Sequence, residues 1–486
     1  MSIEVSKMEF EKRNRYESPL CSRYASDEMQ YIFSPDKRYG TWRRLWVALA
    51  EAEMKLGLPI TQEQVDELKA HVDDINYKEV AEKERENRHD VMAHVYGYGL
   101  LCPNAKGIIH LGATSCYVTD NADIVIYRDA LELVRKKLMA VISNLSDFAR
   151  KYKSMPTLGY THFQVAQLVT VGKRATLWIQ DLMSDLEEID FVIDTLKMLG
   201  SKGTTGTQAS FLSLFNGDHE KVKKLDSFIA EYFGMKNCFP VSGQTYPRKT
   251  DSRILNVLSA IAQSTYKFGN DLRLLQHMRE IEEPFEKGQI GSSAMAYKRN
   301  PMRSERICSL SRYIMADAQN AAMTSSTQWF ERTLDDSANR RISMPEGFLA
   351  TDAVLNLMLN VTDGLVVYPK VIEKNVLEFL PFIATENLLM AAVKMGADRQ
   401  EMHEIIRVNS MAAASAMKND GLPCDLLDRL ANDERFVLDE AQLKDTLNPS
   451  DYIGRCPQQV DEYLDNYVLP ALRAHNYEKM SATINV

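Results

Sequence analysis

The chain has 486 residues, 45% of them hydrophobic and 26% charged, with a formal net charge of −9. That is the composition of an ordinary globular protein with room for two to four domains of roughly 100–200 residues each. The acidic balance argues against a protein whose main task is to hold nucleic acid, because such binding needs a basic face to displace counterions.

Residues 1–7, Met-Ser-Ile-Glu-Val-Ser-Lys, lack the apolar core of a signal peptide, and no apolar run is long enough to cross a bilayer. A cytoplasmic location without a membrane partner is therefore expected. The seven cysteines are odd in number, scattered, and contain no Cys-x-x-Cys pair. Reduced thiols fit that pattern better than a disulfide framework or a zinc site. His89 and His94 do not form a His-Glu-x-x-His helix, and no metal is expected.

In chain order, residues 1–112 read as an N-terminal helical domain of shorter helices, one over 41–56 stopped by Gly57 and Pro59. Residues 113–367 carry long heptad-like segments. Ile124, Tyr127, Leu131, Val134, Leu138, Val141, Leu145 and Phe148 keep a three-four spacing without a break. A second seam runs from Leu168 and Val171 through Ala175, Ile179, Leu182, Leu186, Ile189 and Ile193 to Leu196, stopping at Gly200. A third takes Ile254, Leu258, Ile261, Thr265, Phe268, Leu272 and Leu275. Three helices this long need partners for their seams, so a long-helix bundle shared between subunits is expected. Past Tyr368 and Pro369 the pattern breaks into shorter amphipathic pieces over 384–394 and 398–417, read as a C-terminal helical domain, 368–486. No period-two pattern persists, and no Gly-x-Gly-x-x-Gly or Walker sequence occurs. The fold class is all-α.

One stretch between two helical patterns carries most of the chemistry: Gly-Ser-Ser-Ala-Met-Ala-Tyr-Lys-Arg-Asn-Pro at 291–301. Gly288 and Gly291 let it fold over a ligand, so it reads as a catalytic lid. Asn300 reads as an N-cap with Pro301 in the first helical position, and the helix that follows would aim free N–H groups and a positive dipole end at an anion. On the serines and glycines alone, the stretch would be a polar surface turn.

The whole run resembles the signature loop of the fumarase/aspartase superfamily, and Tyr-Lys-Arg-Asn-Pro-Met-Arg-Ser-Glu at 297–305 is similar to the adenylosuccinate lyase family. Ala296 departs from it, standing where the family pattern has proline. Further segments agree in order: Ser-Arg-Tyr-Ala-Ser at 22–26, Arg-His-Asp-Val-Met-Ala-His at 88–94, Gly-Ala-Thr-Ser at 112–115, Thr-His-Phe-Gln at 161–164, and Thr-Glu-Asn at 385–387 with Arg399 and Gln400 beyond. Val165 is a second departure at a family proline. The resemblance implies a three-domain superfamily fold, a homotetramer whose sites combine segments of three subunits, and no cofactor. It also implies β-elimination of fumarate from two succinyl-purine substrates, adenylosuccinate and succinylaminoimidazole carboxamide ribotide.

That reaction needs a base for a C–H proton beside a carboxylate, donors around the charge that spreads into that carboxylate, and an acid for the departing nitrogen. The resemblance implies His162 as general acid and Ser292 as general base, with Lys298 and the loop N–H groups stabilising the serine alkoxide. Standing alone, His162 would read as a structural histidine before a helix. Thr114, Ser115, Gln244, Lys298 and Asn300 would hold the succinyl carboxylates. A ribose phosphate needs further cations, and Arg23 with Tyr24, together with the run 331–341, supplies guanidinium and hydroxyl groups suited to it. In the family Arg332, Ser337 and Arg341 correspond to ligand positions, with Arg306 nearby and Arg88, His89 and Asp90 in one segment. His89 either touches the phosphate or orients His162. The alternatives are another fumarate-releasing lyase of the superfamily, such as argininosuccinate lyase or fumarase, and a non-catalytic helical scaffold.

Overall fold

The computed structural model describes residues 16–477 and 479–480; residues 1–7, read above for a leader, lie outside them. A π-turn, Leu20–Tyr24, leads into α1 (Asp27–Ile32) and α2 (Pro35–Lys55). Each of these helices starts on a serine whose hydroxyl accepts a first-turn N–H, Ser26 from Met29 and Ser34 from Lys37. Next, α3 (Gln62–Ala70) opens on a capping box between Thr61 and Gln64, and α4 (Tyr77–Asn87) packs on α5 (Asp90–Leu101).

The middle of the chain is a bundle of five long helices. They are α6 (Ser115–Lys151), α7 (Val171–Thr195), α10 (Lys249–His277), α11 (Met302–Ser326) and α12 (Asp335–Asp363). Between α7 and α10 lie α8 (Ala209–Leu214) and α9 (His219–Tyr232), the latter packed on α2. Within the bundle α6 meets α7 and α12, α10 meets α7, α11 and α12, and α11 meets α12. The C-terminal part runs through α13 (Pro369–Ile383), α14 (Thr385–Lys394), α15 (Arg399–Ser415), α16 (Leu426–Ala431) and α17 (Glu440–Asp445) to α18 (Cys456–Tyr463) and α19 (Leu469–Ala474). One buried cluster runs from Leu20 to Leu472, and a smaller one, from Ala384 to Leu443, unites α14 to α17.

The three heptad seams are real, but their burial differs from expectation. Ile124, Leu131, Val134, Leu138, Val141, Leu145, Ile254, Leu258, Ile261 and Leu272 are wholly buried inside this one chain. Each such side chain contributes roughly 1.5–3 kcal/mol on leaving water. Within the chain α2, α7 and α12 pack on α6, and α7, α11 and α12 on α10, so the buried seams themselves demand no second subunit. The sequence pattern hid α12 behind its charged start and the internal Pro345.

Two short antiparallel pairs interrupt the helices: β1 (Pro156–Thr161) with β2 (Gln164–Thr170), and β3 (Ile281–Glu282) with β4 (Val366–Val367). The second seam therefore starts in a strand at Leu168, and its helix begins only at Val171. Among the described residues no single helix is long and apolar enough to cross a membrane.

Candidate active site

A cavity of about 390 Å³ opens between the α2 to α5 layer and the bundle. Seven of the residues singled out in the sequence line it: His89, Asp90, Ser115, Gln244, Arg332, Ser337 and Arg341. His89 stands at the N-cap of α5, where the Met92 N–H donates to its Nδ1 at 3.4 Å. In the neutral ring the proton then sits on Nε2, which donates to Ser115 Oγ at 3.3 Å. Ser115 begins α6 with Thr114 as its N-cap, and Arg88 ends α4 in a left-handed conformation with φ 53°, turning the chain so that His89 and Asp90 face the cavity. Asp90 lies 3.5 Å from the Arg341 guanidinium.

The cavity wall rests on a charge network whose pairings, and whose Arg38 and Arg248, the sequence reading did not name. Arg248, only 1% exposed, donates to Asp120 at 2.9 and 3.3 Å and to Asp336 at 2.6 Å. Arg332 donates from one nitrogen to both Asp336 oxygens, at 3.1 and 3.0 Å. Arg340 bridges Asp251 at 2.5 Å and Asp123 at 2.9 Å and also reaches the Tyr246 hydroxyl. Arg38 lines the same cavity, and its guanidinium makes no hydrogen bond or ion pair among the described residues. The partners of Arg248 and Arg340 lie 88 to 217 positions away, so no local spacing could have revealed those pairs.

Gln244 is fixed from two sides. Its N–H donates to the Glu331 carbonyl at 3.0 Å, and its side-chain oxygen accepts from the Cys116 thiol at 3.5 Å. Burial pushes that thiol up to about 12, with the Asp120 carboxylate adding to it, so Cys116 stays protonated and a donor. Gly243 permits the approach, since a Cβ there would stand 2.4 Å from the Glu331 oxygen.

None of His162, Ser292, Lys298, Asn300, Arg23, Tyr24 and Arg306 lines this cavity. His162 and Phe163 form the two-residue turn of the β1–β2 hairpin, with φ 52° and 57°, the doubly left-handed pair of a type I′ connection. The expected histidine before a helix is thus an exposed hairpin tip. Val165, at a family proline position, pairs with Tyr160 in that hairpin.

The loop 291–300 is exposed at most positions and held at its neck, where the Asn300 side chain donates to the Gly291 carbonyl at 2.7 Å and Gln276 donates to the Arg299 carbonyl at 3.1 Å. Asn300 is therefore not an N-cap, and α11 begins at Met302. Glu283 occupies the N-terminus of that helix, accepting from the N–H groups of Arg303 at 3.0 Å and Ser304 at 2.9 Å. The expected anion site is already filled by a protein carboxylate. Ser292 Oγ accepts from the N–H groups of Ala294 at 3.3 Å and Met295 at 3.1 Å. Arg23 and Tyr24 lie on the first π-turn, with the Arg306 guanidinium 5.4 Å above the Tyr24 ring. That turn is tied to the bundle through Ser26, whose N–H donates to buried Asp352 at 2.7 Å and whose hydroxyl accepts from Lys137 at 3.1 Å.

Residues 22–316 match a family model described as lyase, and residues 381–463 match one described as adenylosuccinate lyase C-terminus. The chain is 53% identical over 460 residues to the adenylosuccinate lyase of Schizosaccharomyces pombe, covering 94% of this chain and 95% of that protein. It is 52% identical over 464 residues to that of Saccharomyces cerevisiae, covering 95% and 96% respectively. Against that of Schistosoma mansoni the identity is 48% over 472 residues, with 97% of each chain covered. The fold is also that of a fumarate lyase from Mesorhizobium, at 22% identity and TM-score 0.77 over 91% of this chain and 98% of that one. A 3-carboxy-cis,cis-muconate lactonizing enzyme from Pseudomonas putida shares it at 21% identity and TM-score 0.79, over 91% and 97%. With curated relatives alike over nearly the whole length, this chain belongs to the adenylosuccinate lyase family.

Proposed function

We propose that the protein is an enzyme that releases fumarate by β-elimination from adenylosuccinate, leaving AMP, and from succinylaminoimidazole carboxamide ribotide, leaving the carboxamide ribotide. The observation that carries this reading is the near full-length likeness to adenylosuccinate lyases at up to 53% identity. The cavity suits such a substrate chemically. Arg332, Ser337 and Arg341 offer guanidinium forks and a hydroxyl to a phosphate, while Ser115 and Gln244 offer donors to a carboxylate.

In this reading Ser292 removes the proton beside the succinyl carboxylate, the C–N bond breaks, and His162 gives its proton to the departing nitrogen. A serine hydroxyl is a weak base, so the alkoxide must be stabilised. Two backbone N–H groups already point at Ser292 Oγ, those of Ala294 and Met295, and they strengthen once the oxygen carries charge. Lys298 adds a cation from the same loop. The α11 N-terminus contributes little to this, because Glu283 occupies it. His89, with its proton on Nε2 toward Ser115, serves the substrate side of the cavity.

The acid and base stand on segments that do not line their own chain's cavity. A homotetramer in which neighbouring copies bring the hairpin and the loop to it accounts for that separation, and the exposed Leu177, Phe191, Met323 and Ile342 on the bundle helices are candidates for its contacts. The three-domain division at 112/113 and 367/368 belongs to the same reading. The seven free cysteines fit a reducing, cytoplasmic setting.

The test is fumarate release by the purified protein with each succinyl-purine and, separately, with argininosuccinate. Fumarate and AMP from adenylosuccinate are expected. Fumarate from argininosuccinate alone would reassign the substrate, and none from any substrate would leave a scaffold.

A further inference from the structure

Asp336 has no exposed surface, yet it carries two guanidiniums. Its Oδ2 accepts from Arg248 Nε at 2.6 Å, and both of its oxygens accept from Arg332 Nη1, at 3.1 and 3.0 Å. Arg248 spends its other edge on Asp120, which also accepts the Tyr246 N–H at 3.1 Å. The four side chains thus form a relay, Asp120, Arg248, Asp336, Arg332, with three members buried and the last opening on the cavity. A carboxylate this deep is tolerated only while both arginines bond to it and it sits in the first turn of α12, where the helix end favours negative charge.

Arg332 needs such a hold, because it lies in the connection before α12 and not in the helix. Its main chain is gripped from the opposite side, where Gly243 lets the Gln244 N–H close on the Glu331 carbonyl. Backbone and charge together leave one orientation. Arg332 commits Nη1 to Asp336, while its Nε and Nη2 make no hydrogen bond among the described residues.

The geometry points to Asp336 as a positioning residue for the reaction: it orients Arg332 so that the Nε–Nη2 edge is presented as a fork to the phosphate of the substrate. The inference rests on the reading above that Arg332 meets that phosphate. Asp336 itself touches no substrate. Its oxygens are fully engaged with arginines, and its influence passes through the Arg332 guanidinium that lines the cavity.

A double-mutant cycle separates this role from a structural one. The four proteins are the wild type, Arg332→Leu, Asp336→Asn and the double variant, each measured for KM, kcat, melting temperature and calorimetric affinity for AMP. Arg332→Leu should raise KM by roughly 10- to 100-fold, as loss of a remote binding contact does. Asp336→Asn should raise KM and weaken AMP by about 5- to 10-fold, with kcat held within about 3-fold. In the double variant KM should equal that of Arg332→Leu within about 2-fold, because a positioning residue has nothing left to position. Multiplying factors, or an unchanged KM in Asp336→Asn, would overturn the inference. An unchanged KM in Arg332→Leu would overturn it together with the assignment of Arg332, while fumarate release by the wild type would still stand. If Asp336→Asn does not fold, Arg332→Lys gives the answer from the exposed end. An ammonium bonded to Asp336 has no second edge for a phosphate, so KM should rise about 10-fold, and a wild-type KM would reject the oriented fork.

Discussion

The cavity wall and the loop 291–300 are held by opposite means. In the wall, Arg248 and Arg340 are each bonded to carboxylates from separate parts of the chain, Asp120, Asp123, Asp251 and Asp336, all inside the fold. The loop is tied at its neck, by Asn300, Gln276 and the Arg299–Glu282 pair, while Tyr297 is 85% exposed and Met295 52% exposed. The wall is therefore a preorganised binding surface whose geometry is coupled to folding. In the proposed reading the loop carries the base, Ser292, and beyond its neck it has few ties to its own chain. Substitutions in the wall should act on affinity and stability together, and substitution of Ser292 in the loop on turnover alone.

The largest effect should come from the loop. Ser292→Ala should lower kcat by about 10³-fold or more, since a proton transfer loses its base, with AMP affinity within a few fold and the melting temperature unchanged. Steady-state kinetics with calorimetry checks it, and near-normal turnover would remove Ser292 from the chemistry. His162→Gln should be as inactive. Mixing the two dead proteins under mild dissociation and reassembly should restore activity if acid and base come from different copies, and an exchanged mixture that stays dead would put both in one chain.

The wall should answer differently. Gly243→Ala drives a Cβ to 2.4 Å from the Glu331 oxygen, a backbone atom that cannot swing aside. It should cost about 3 kcal/mol of stability and raise KM in the same variant, because the displaced segments carry Gln244 and Arg332. A variant that melted early with a wild-type KM would break the link between fold and site. Arg341→Leu should raise KM about 10-fold with a smaller change in kcat, and Arg341→Lys should restore only part, lacking the planar fork.

The parts legible in the sequence were those with a local period or a contiguous motif. Ile124 to Phe148, read at three-four spacing, are buried where the seam requires, and the lid residues stand on a loop between two long helices as their composition suggests. Charge pairs such as Arg340 with Asp123 or Lys137 with Asp352 have no local signature, because their spacing is set by tertiary packing. The hairpin around His162 was hidden by its short strands, although its alternation is legible in hindsight in Thr157, Gly159 and Thr161 against Leu158 and Tyr160. Asn300-Pro301 read as a helix start for sound local reasons, and tertiary competition won: Glu283 caps the helix from 20 positions away and frees Asn300 to close the loop.

The finest contrast between the regions is in their response to acid. Behind His89, His110 sits in a left-handed backbone with φ 67°, its Nδ1 accepting the Trp46 Nε1–H at 3.0 Å. Burial pushes its pKa down to about 4, with His89 adding to it, from an ordinary value near 6.5. A histidine whose pKa falls on folding contributes stability above the unfolded value and loses it as pH drops through the window from 6.5 to 4. His110→Asn keeps the tolerated backbone and sets its side-chain oxygen where Nδ1 accepted, but it cannot take up the proton. Near pH 7 the variant should therefore unfold within about 1 kcal/mol of the wild type. Between pH 7 and 5.5 it should lose about 1 kcal/mol less stability, the share of one titrating group with this shift. Urea unfolding at the two pH values measures the difference, with Ser292→Ala as control. That loop variant should run parallel to the wild type, since its hydroxyl neither titrates in this range nor supports the wall. Parallel lines for His110→Asn as well would mean that the ring takes its proton in the folded state as readily as in the unfolded one, and that the wall near His89 is wetter than its packing implies.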